Sequence, residues 1–390
     1  MTQKLEKIYH SLCVSSVFGG VLKQPLFERF FEYAESRETA QKLRAYGKFV
    51  AEIYTLGGSL TESVKRLLSE DENEFVKTSA CGGEVKECIL NATKAELTAF
   101  SAFAALTKTD FELDFSGENL PAFESEFVDL VEYYFNRLDN IERHGYGIFA
   151  TYGMFRFSES KEIVPIRSAD KIPMSKFVGY ERERKAVVDN TLAFLDGKSA
   201  ANVLLYGDAG AGKSSTVKAI ANEFFERGLR LIELRKNQLC HFPLVMEKIA
   251  HNPLKFILFI DDLSFQQSDD DFSMLKAALE GSASARAENC VLYATSNRRH
   301  IVKETFADRE GGDVHRNDTL QETLSLSERF GLTVYFSKPD KKLYLEIVEG
   351  LAKRKGITYT DALGVQAEAF ALKRGNRSAR CAEQFVDSLE

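Results

Sequence analysis

The pattern of apolar residues changes along the 390-residue chain. Up to about residue 150, apolar side chains recur every three or four positions, as at Phe127, Leu130, Val131 and Tyr134, which predicts amphipathic helices. After Pro173, short apolar runs alternate with helical stretches, a pattern typical of an α/β domain. The predicted strands are residues 203–206, 229–234, 256–260, 291–295 and 332–336. Five strands separated by helices predict a parallel sheet with helices on both faces.

The remaining segments complete a three-part organisation. Three helices are predicted near the C-terminus, at residues 341–355, 359–373 and 377–388, which is enough chain for a small helical subdomain. The pattern loosens after Gly145, and residues 162–166 look extended, so we expect them to connect two domains. We therefore predict a mainly helical N-terminal domain, an α/β domain and a C-terminal helical subdomain, over residues 1–165, 166–338 and 339–390.

Composition narrows the class of protein. The chain is 44% hydrophobic and 28% charged, which is typical of a soluble globular protein. No apolar run approaches the roughly 18 residues that a membrane-spanning helix needs, and the N-terminus does not resemble a signal peptide. The six cysteines form no Cys-x-x-Cys pair, so we expect reduced thiols in a cytoplasmic protein.

Charge is distributed unevenly along the chain. The net charge is −7, and residues 1–165 hold 18 Lys and Arg against 26 Asp and Glu, a balance of −8. The remaining residues hold 33 against 32 and are close to neutral. Because an acidic surface repels nucleic acid, this distribution favours a protein partner over a nucleic-acid partner.

One motif identifies a phosphate-binding loop. The pattern G-x-x-x-x-G-K-[ST] is matched by Gly207, Asp208, Ala209, Gly210, Ala211, Gly212, Lys213 and Ser214. A predicted strand precedes the loop, and a predicted helix beginning at Ser215 follows it. Glycines let the backbone wrap around phosphates, and the start of the helix adds favourable electrostatics. The loop therefore predicts binding of ATP, with Lys213 on the β- and γ-phosphates and the Ser214 hydroxyl on Mg²⁺.

Polar residues follow two of the other predicted strands. Asp261 and Asp262 come directly after residues 256–260, and we expect Asp261 to hold Mg²⁺. Asp262 stands where many such ATPases have a glutamate that orients the attacking water; its alternative role is to cap the strand end or support the magnesium site. Asn297 follows the strand at 291–295 and can orient water or sense the γ-phosphate, or simply form a turn.

The span from about residue 175 to 390 resembles the AAA+ ATPases. It is most similar to a group of bacterial AAA+ proteins catalogued as a domain of unknown function. The resemblance lies in the loop and acidic strand just described and in residues 177–181, 294–300 and 324–331. It implies an α/β AAA+ P-loop domain with a C-terminal helical lid, and an adenine pocket lined by Phe177 and Val178.

The resemblance also implies arginines that act on the nucleotide. Arg329, in Ser-Glu-Arg-Phe, resembles an arginine finger that reaches the nucleotide of a neighbouring subunit in a homo-oligomer. Arg377 resembles the second sensor, which reaches from the lid to the γ-phosphate, and Arg380 is the rival candidate. Arg298 and Arg299 are further candidates for facing a neighbour.

Three functional hypotheses stay open. The first is an oligomeric ATPase that couples Mg-ATP hydrolysis to conformational change on an unknown macromolecular partner. The second is a nucleotide-gated switch that hydrolyses slowly or not at all, since Asp262 is shorter than glutamate. The third is a loader or remodeller on DNA.

The long polar segment 303–322 is expected to touch a partner.

Overall fold

The computed structural model describes residues 2–111, 120–168, 172–263, 275, 288–297 and 330–389. The chain divides into two compact units, Met1–Thr151 and Tyr152–Glu390. The predictions for Arg298, Arg299, Arg329 and residues 303–322 lie outside the described residues.

The first unit is helical, as predicted. Its α-helices are α1 Gln3–Cys13, α2 Pro25–Glu35, α3 Thr39–Thr55, α4 Leu60–Glu70, α5 Glu74–Ala80, α6 Glu87–Ala104, α7 Leu130–Leu138 and α8 Ile141–His144. Its core contains many aromatic side chains. Phe27, Phe30, Phe49, Phe100 and Phe103 are completely buried, and several of their rings meet edge to face. The abundant phenylalanines of this region therefore serve mainly to form a core.

The second unit is built on a seven-stranded sheet. Its strands are β1 Met154–Phe157, β2 Ile163–Pro165, β3 Val203–Gly207, β4 Leu229–Leu234, β5 Lys255–Ile260, β6 Cys290–Ser296 and β7 Leu332–Phe336, in the order β2-β1-β4-β5-β6-β3-β7. The five predicted strands are present and pair in parallel. Strands β4, β5 and β6 are buried along nearly their whole length, which shows that both faces of the central sheet are covered.

The predicted number of five strands is wrong, because β1 and β2 extend the sheet. Strand β1 runs parallel to β4, and β2 pairs with β1 in the antiparallel direction. Phe155 and Phe157 are buried while Arg156 between them is exposed, so one side of β1 faces the protein interior. The backbone of β1 pairs with the edge of β4. Residues 163–165, which we expected to lie in a connection between domains, belong to the sheet of the second unit.

Helices complete the second unit. They are α9 Glu181–Leu195, α10 Lys213–Glu223, α11 Phe242–Ile249, α12 Lys341–Arg354, α13 Asp361–Arg374 and α14 Ala379–Asp387. Each of the last three begins at a side-chain cap, in which Asp340, Thr360 or Ser378 accepts a hydrogen bond from a backbone N–H of the first turn. Their apolar faces share one hydrophobic core with the sheet. No helix in the described ranges is long and apolar enough to cross a membrane.

The sheet brings the motifs together. Strands β5, β6 and β3 are parallel neighbours, so their carboxyl ends lie at the same edge of the sheet. Asp261 and Asp262 follow β5, Asn297 follows β6, and the glycine-rich loop follows β3. Carboxyl ends of parallel strands are where open α/β sheets bind ligands.

Candidate functional site

The glycine-rich loop joins β3 directly to α10. Gly207 has φ +136° and Gly212 has φ +89°, both in the region that favours glycine. A Cβ atom at Gly207 would overlap the backbone carbonyl oxygen of Phe336 on β7, so a side chain there cannot be accommodated without moving the sheet. Helix α10 begins at Lys213 with Gly212 as its N-cap, and no side chain caps its first turn.

Lys213 lies buried at the centre of the loop. Its ammonium donates to the carbonyl oxygens of Gly207 and Asp208, both at 2.8 Å, and to Oδ1 of Asn297 at 3.0 Å. Burial lowers the pKa of Lys213, while the carboxylates of Asp208, Asp261 and Asp262 act in the opposite direction. The structure therefore brings together a cation from the loop and an amide from the end of β6.

Asp261 connects the loop to the acidic strand. Its Oδ1 accepts hydrogen bonds from the hydroxyls of Ser214 and Thr295, each at 2.5 Å. The Thr295 hydroxyl in turn accepts from the backbone N–H of Asp262 at 2.9 Å. One buried threonine therefore orients both consecutive acids. Thr295 was not predicted as a site residue, although its position near the end of a neighbouring apolar strand was a signal that could have indicated it.

Asp262 has a strained backbone. Its φ is +54°, a left-handed conformation that residues other than glycine rarely adopt and that Asp and Asn tolerate best. Its exposed carboxylate accepts a hydrogen bond from Nδ2 of Asn297 at 2.8 Å. Asn297 therefore bridges Lys213 and Asp262. Strain that the surroundings hold in place is frequently found at functional sites.

These residues line a cavity of about 730 Å³. Its wall contains Ala209, Gly210, Ala211, Gly212, Lys213, Ser214, Ser215, Asp261, Asp262 and Asn297, together with Phe177 and Val178. All of these were predicted site residues. The volume is in the range of cavities that bind cofactor-sized ligands.

The family model described as "Protein of unknown function (DUF815)" matches residues 150–390, more than half of the chain. The chain belongs to this family. The match begins just before β1 and confirms the resemblance inferred from the motifs. None of the curated proteins is similar to the DUF815 chain at a significant level.

Solved structures that are similar to the DUF815 chain share little sequence identity with it. The FIGL-1 AAA domain in complex with ADP is 16% identical, with 55% of this chain and 70% of that chain covered and a TM-score of 0.39. A point mutant of Thermotoga maritima RuvB is 16% identical, with 55% and 64% covered and a TM-score of 0.37. The Thermotoga maritima RuvB Holliday junction branch migration motor is 14% identical, with 57% and 72% covered and a TM-score of 0.34.

The two rival arginines near the C-terminus have different surroundings. Arg377 forms a two-point ion pair with Glu368 on α13, with both N–O distances 2.9 Å. The pair raises the pKa of Arg377 and lowers that of Glu368. Arg380 lies on α14 and lines the cavity, and its backbone N–H donates to the carbonyl oxygen of Gly210 at 3.3 Å. The structure thus places Arg380, and not Arg377, in the cavity wall.

The donor set of the DUF815 site fits magnesium bound together with a nucleotide. The Ser214 hydroxyl and the Asp261 carboxylate are hard oxygen ligands of the kind that Mg²⁺ prefers. Within the described ranges, no group of three or more His, Cys, Asp and Glu side chains could hold a metal by itself. A magnesium ion here would therefore draw its other ligands from phosphate and water, as is usual for nucleotide sites.

Proposed function

We propose that the chain is an oligomeric AAA+ ATPase that binds Mg-ATP at the β3–α10 loop and couples hydrolysis to conformational change. The contact between Ser214 and Asp261 is the observation that supports this most strongly. It joins the phosphate-binding loop to the acidic strand beside a buried lysine and an open cavity. A glycine-rich turn without a ligand has no need of this arrangement.

The chain's own groups account for nucleotide binding. The loop N–H groups and the start of α10 would hold phosphate oxygens. Lys213 would exchange its hydrogen bonds to Gly207 and Asp208 for bonds to the β- and γ-phosphates. Ser214 and Asp261 would hold Mg²⁺, which offsets negative charge on the transferred phosphoryl group. Phe177 and Val178 lie at the cavity wall and would contact the adenine.

Asp262 and Asn297 are the candidates for positioning water. The Asp262 carboxylate is exposed and held by Asn297, so it can accept a proton from a water molecule in the cavity. We assign the sensor role in the lid to Arg380, because it lines the cavity, whereas Arg377 is engaged by Glu368. Arg329 of a neighbouring subunit would complete the site in a homo-oligomer.

The proposal also covers the cellular compartment and the kind of partner. The six cysteines form no Cys-x-x-Cys pair in the sequence, which suits a reducing compartment such as the cytoplasm. The acidic surplus of the first 165 residues favours a protein partner over nucleic acid.

ATP turnover at high protein concentration tests the proposal. The wild type should release phosphate, and Lys213→Ala should reduce the rate by roughly a hundredfold or more, since it removes a cation that stabilises developing charge. High concentration matters because the site is completed by a second subunit. Equal rates above background in the two proteins would exclude this loop as the site of hydrolysis.

A second candidate function is a slow nucleotide-gated switch. The observation that favours it is the short side chain of Asp262, whose carboxylate is held by Asn297 at 2.8 Å. If this short acid limits hydrolysis, Asp262→Glu should speed turnover while nucleotide affinity stays the same. A wild type that already turns over several times per minute would contradict the switch.

A further inference from the structure

Arg184 is a buried cation in the wall of the nucleotide cavity. It lies on α9, it is only 8% exposed, and it lines the same cavity as the glycine-rich loop. None of the functions assigned above uses this side chain. A buried guanidinium is costly unless its five N–H donors and its charge are satisfied, so its surroundings indicate what it is for.

Its hydrogen bonding is incomplete. Nη2 donates to the carbonyl oxygen of Val178 over a long 3.4 Å, and Nε has no hydrogen-bond partner among the described residues. The nearby carboxylate of Glu181 accepts from the backbone N–H of Gly179 at 2.9 Å instead. Within the described ranges no carboxylate lies at ion-pair distance from Arg184, although Glu181 and Glu183 are close enough to influence its pKa. Arg184 thus has unused donor capacity, and the residue lines the cavity.

The guanidinium is nevertheless held in a fixed position. Its central carbon lies 4.9 Å from the centre of the Phe177 ring, which also lines the cavity. A cation–π contact at this distance restricts where the guanidinium can lie. Val178 is fixed too, because its side chain packs against Gly350 on α12, where an added Cβ would collide with it. A fixed donor therefore lies beside the fixed carbonyl oxygen of Val178.

We propose that Arg184 determines base specificity by donating a hydrogen bond to a ring nitrogen of adenine while the Val178 carbonyl accepts from the exocyclic amino group. This rests on the proposed function, since it concerns the base of the same nucleotide. The carbonyl has a second lone pair beyond the one that faces Arg184. Adenine presents an amino donor next to a ring-nitrogen acceptor, which complements this pair. Guanine in the same orientation would place its O6 against the carbonyl oxygen, where two acceptors repel.

The test measures binding of ATP, GTP and tripolyphosphate, each with Mg²⁺, to the full chain. Three proteins are compared: wild type, Arg184→Met, and the matched control Arg182→Met, which changes an exposed arginine on the same helix. The wild type should bind ATP at least about tenfold more tightly than GTP. Arg184→Met should weaken ATP binding by roughly ten- to a hundredfold, the value of a hydrogen bond from a charged donor. Binding of tripolyphosphate, and all binding by Arg182→Met, should change by less than about threefold.

Several results would overturn the inference. The first is a wild type that binds GTP as tightly as ATP. The second is an equal loss of affinity for ATP and GTP in Arg184→Met. The third is a loss of affinity for tripolyphosphate in that variant, which would mean that Arg184 acts on phosphate. If Arg184→Met does not fold, Arg184→Lys retains the charge without the planar fork, and its ratio of ATP to GTP affinity must fall. If the wild type binds none of the three ligands, the proposed function fails as well. If Arg184→Met keeps its tripolyphosphate binding and its ratio of ATP to GTP affinity is unchanged, the Arg184 inference is rejected while the proposed function stands.

Discussion

At the scale of single residues, the hydroxyl of Thr295 orients two site residues, Asp261 and Asp262. It is 1% exposed, it donates to Asp261 and it accepts from the backbone of Asp262. Asp262 is held in a left-handed conformation at the same point. The orientation of both acids therefore depends on a buried residue on the neighbouring strand, which also lines the cavity.

Thr295→Val removes this hydroxyl with little change in volume. We expect the free energy of unfolding to fall by about 1–3 kcal/mol, because the Asp262 N–H and the Asp261 carboxylate each lose a partner. Magnesium-dependent nucleotide binding should weaken as well, since Asp261 is less well oriented. Urea unfolding and titration with Mg-ATP measure the two effects.

The exposed Thr333 on β7 provides the control. Thr333→Val should leave the free energy of unfolding within about 0.5 kcal/mol of the wild type. If the two variants are equally stable and bind Mg-ATP equally well, Thr295 does not organise the acids.

At the scale of elements, β1 and β2 determine where the second unit begins. Strand β1 covers the edge of β4 and contributes Phe155 and Phe157 to the interior. Without it, β4 would present unpaired backbone groups and newly exposed apolar surface, a combination that favours aggregation. The two short strands therefore belong to the folding unit of the sheet.

Two truncated chains test this boundary. A chain of residues 152–390 should be monodisperse and unfold cooperatively. A chain of residues 166–390 should aggregate or lose several kcal/mol of stability, because it lacks both strands. Size-exclusion chromatography and urea unfolding make the comparison. Equal behaviour of the two chains would show that β1 and β2 are dispensable.

The elements also show what the sequence could predict. Strands β3, β5 and β6 are nearly continuous apolar runs because both faces are covered, and β4 is mostly apolar apart from Arg230 and Glu233. Hydrophobic residues in sequence were therefore enough to find these strands. Strands β1 and β2 have four and three residues at the edge of the sheet, too few to show a period.

In the candidate site, too, the features with a local sequence pattern were predictable and the others were not. The phosphate loop and the two acids could be found from sequence, because their spacing along the chain is itself the signal. The pairing of Arg377 with Glu368 could not, since it depends on how the end of α13 turns into the segment before α14. Thr295 and Arg184 were missed for a similar reason, because their contacts are with distant segments of chain or depend on burial in the fold.

At the scale of the whole molecule, a hydrogen bond connects the glycine-rich loop directly to the C-terminal helices. The backbone N–H of Arg380 on α14 donates to Gly210 in the loop, and α12, α13 and α14 share their core with the sheet. A shift of the loop on binding phosphates would therefore displace the C-terminal helices as well. The helical first unit is a separate compact unit. We propose that it engages the macromolecular partner of the proposed ATPase.

Calorimetric titration of the full chain with ATP in the presence of Mg²⁺ is the most direct measurement of the central claim. The account predicts saturable binding of one ATP per chain by the wild type. It predicts at least roughly tenfold weaker binding by Lys213→Ala, which removes the buried ammonium while the Gly207 and Gly212 backbone stays unchanged. Absence of binding by the wild type, or equal affinity in both proteins, would contradict it.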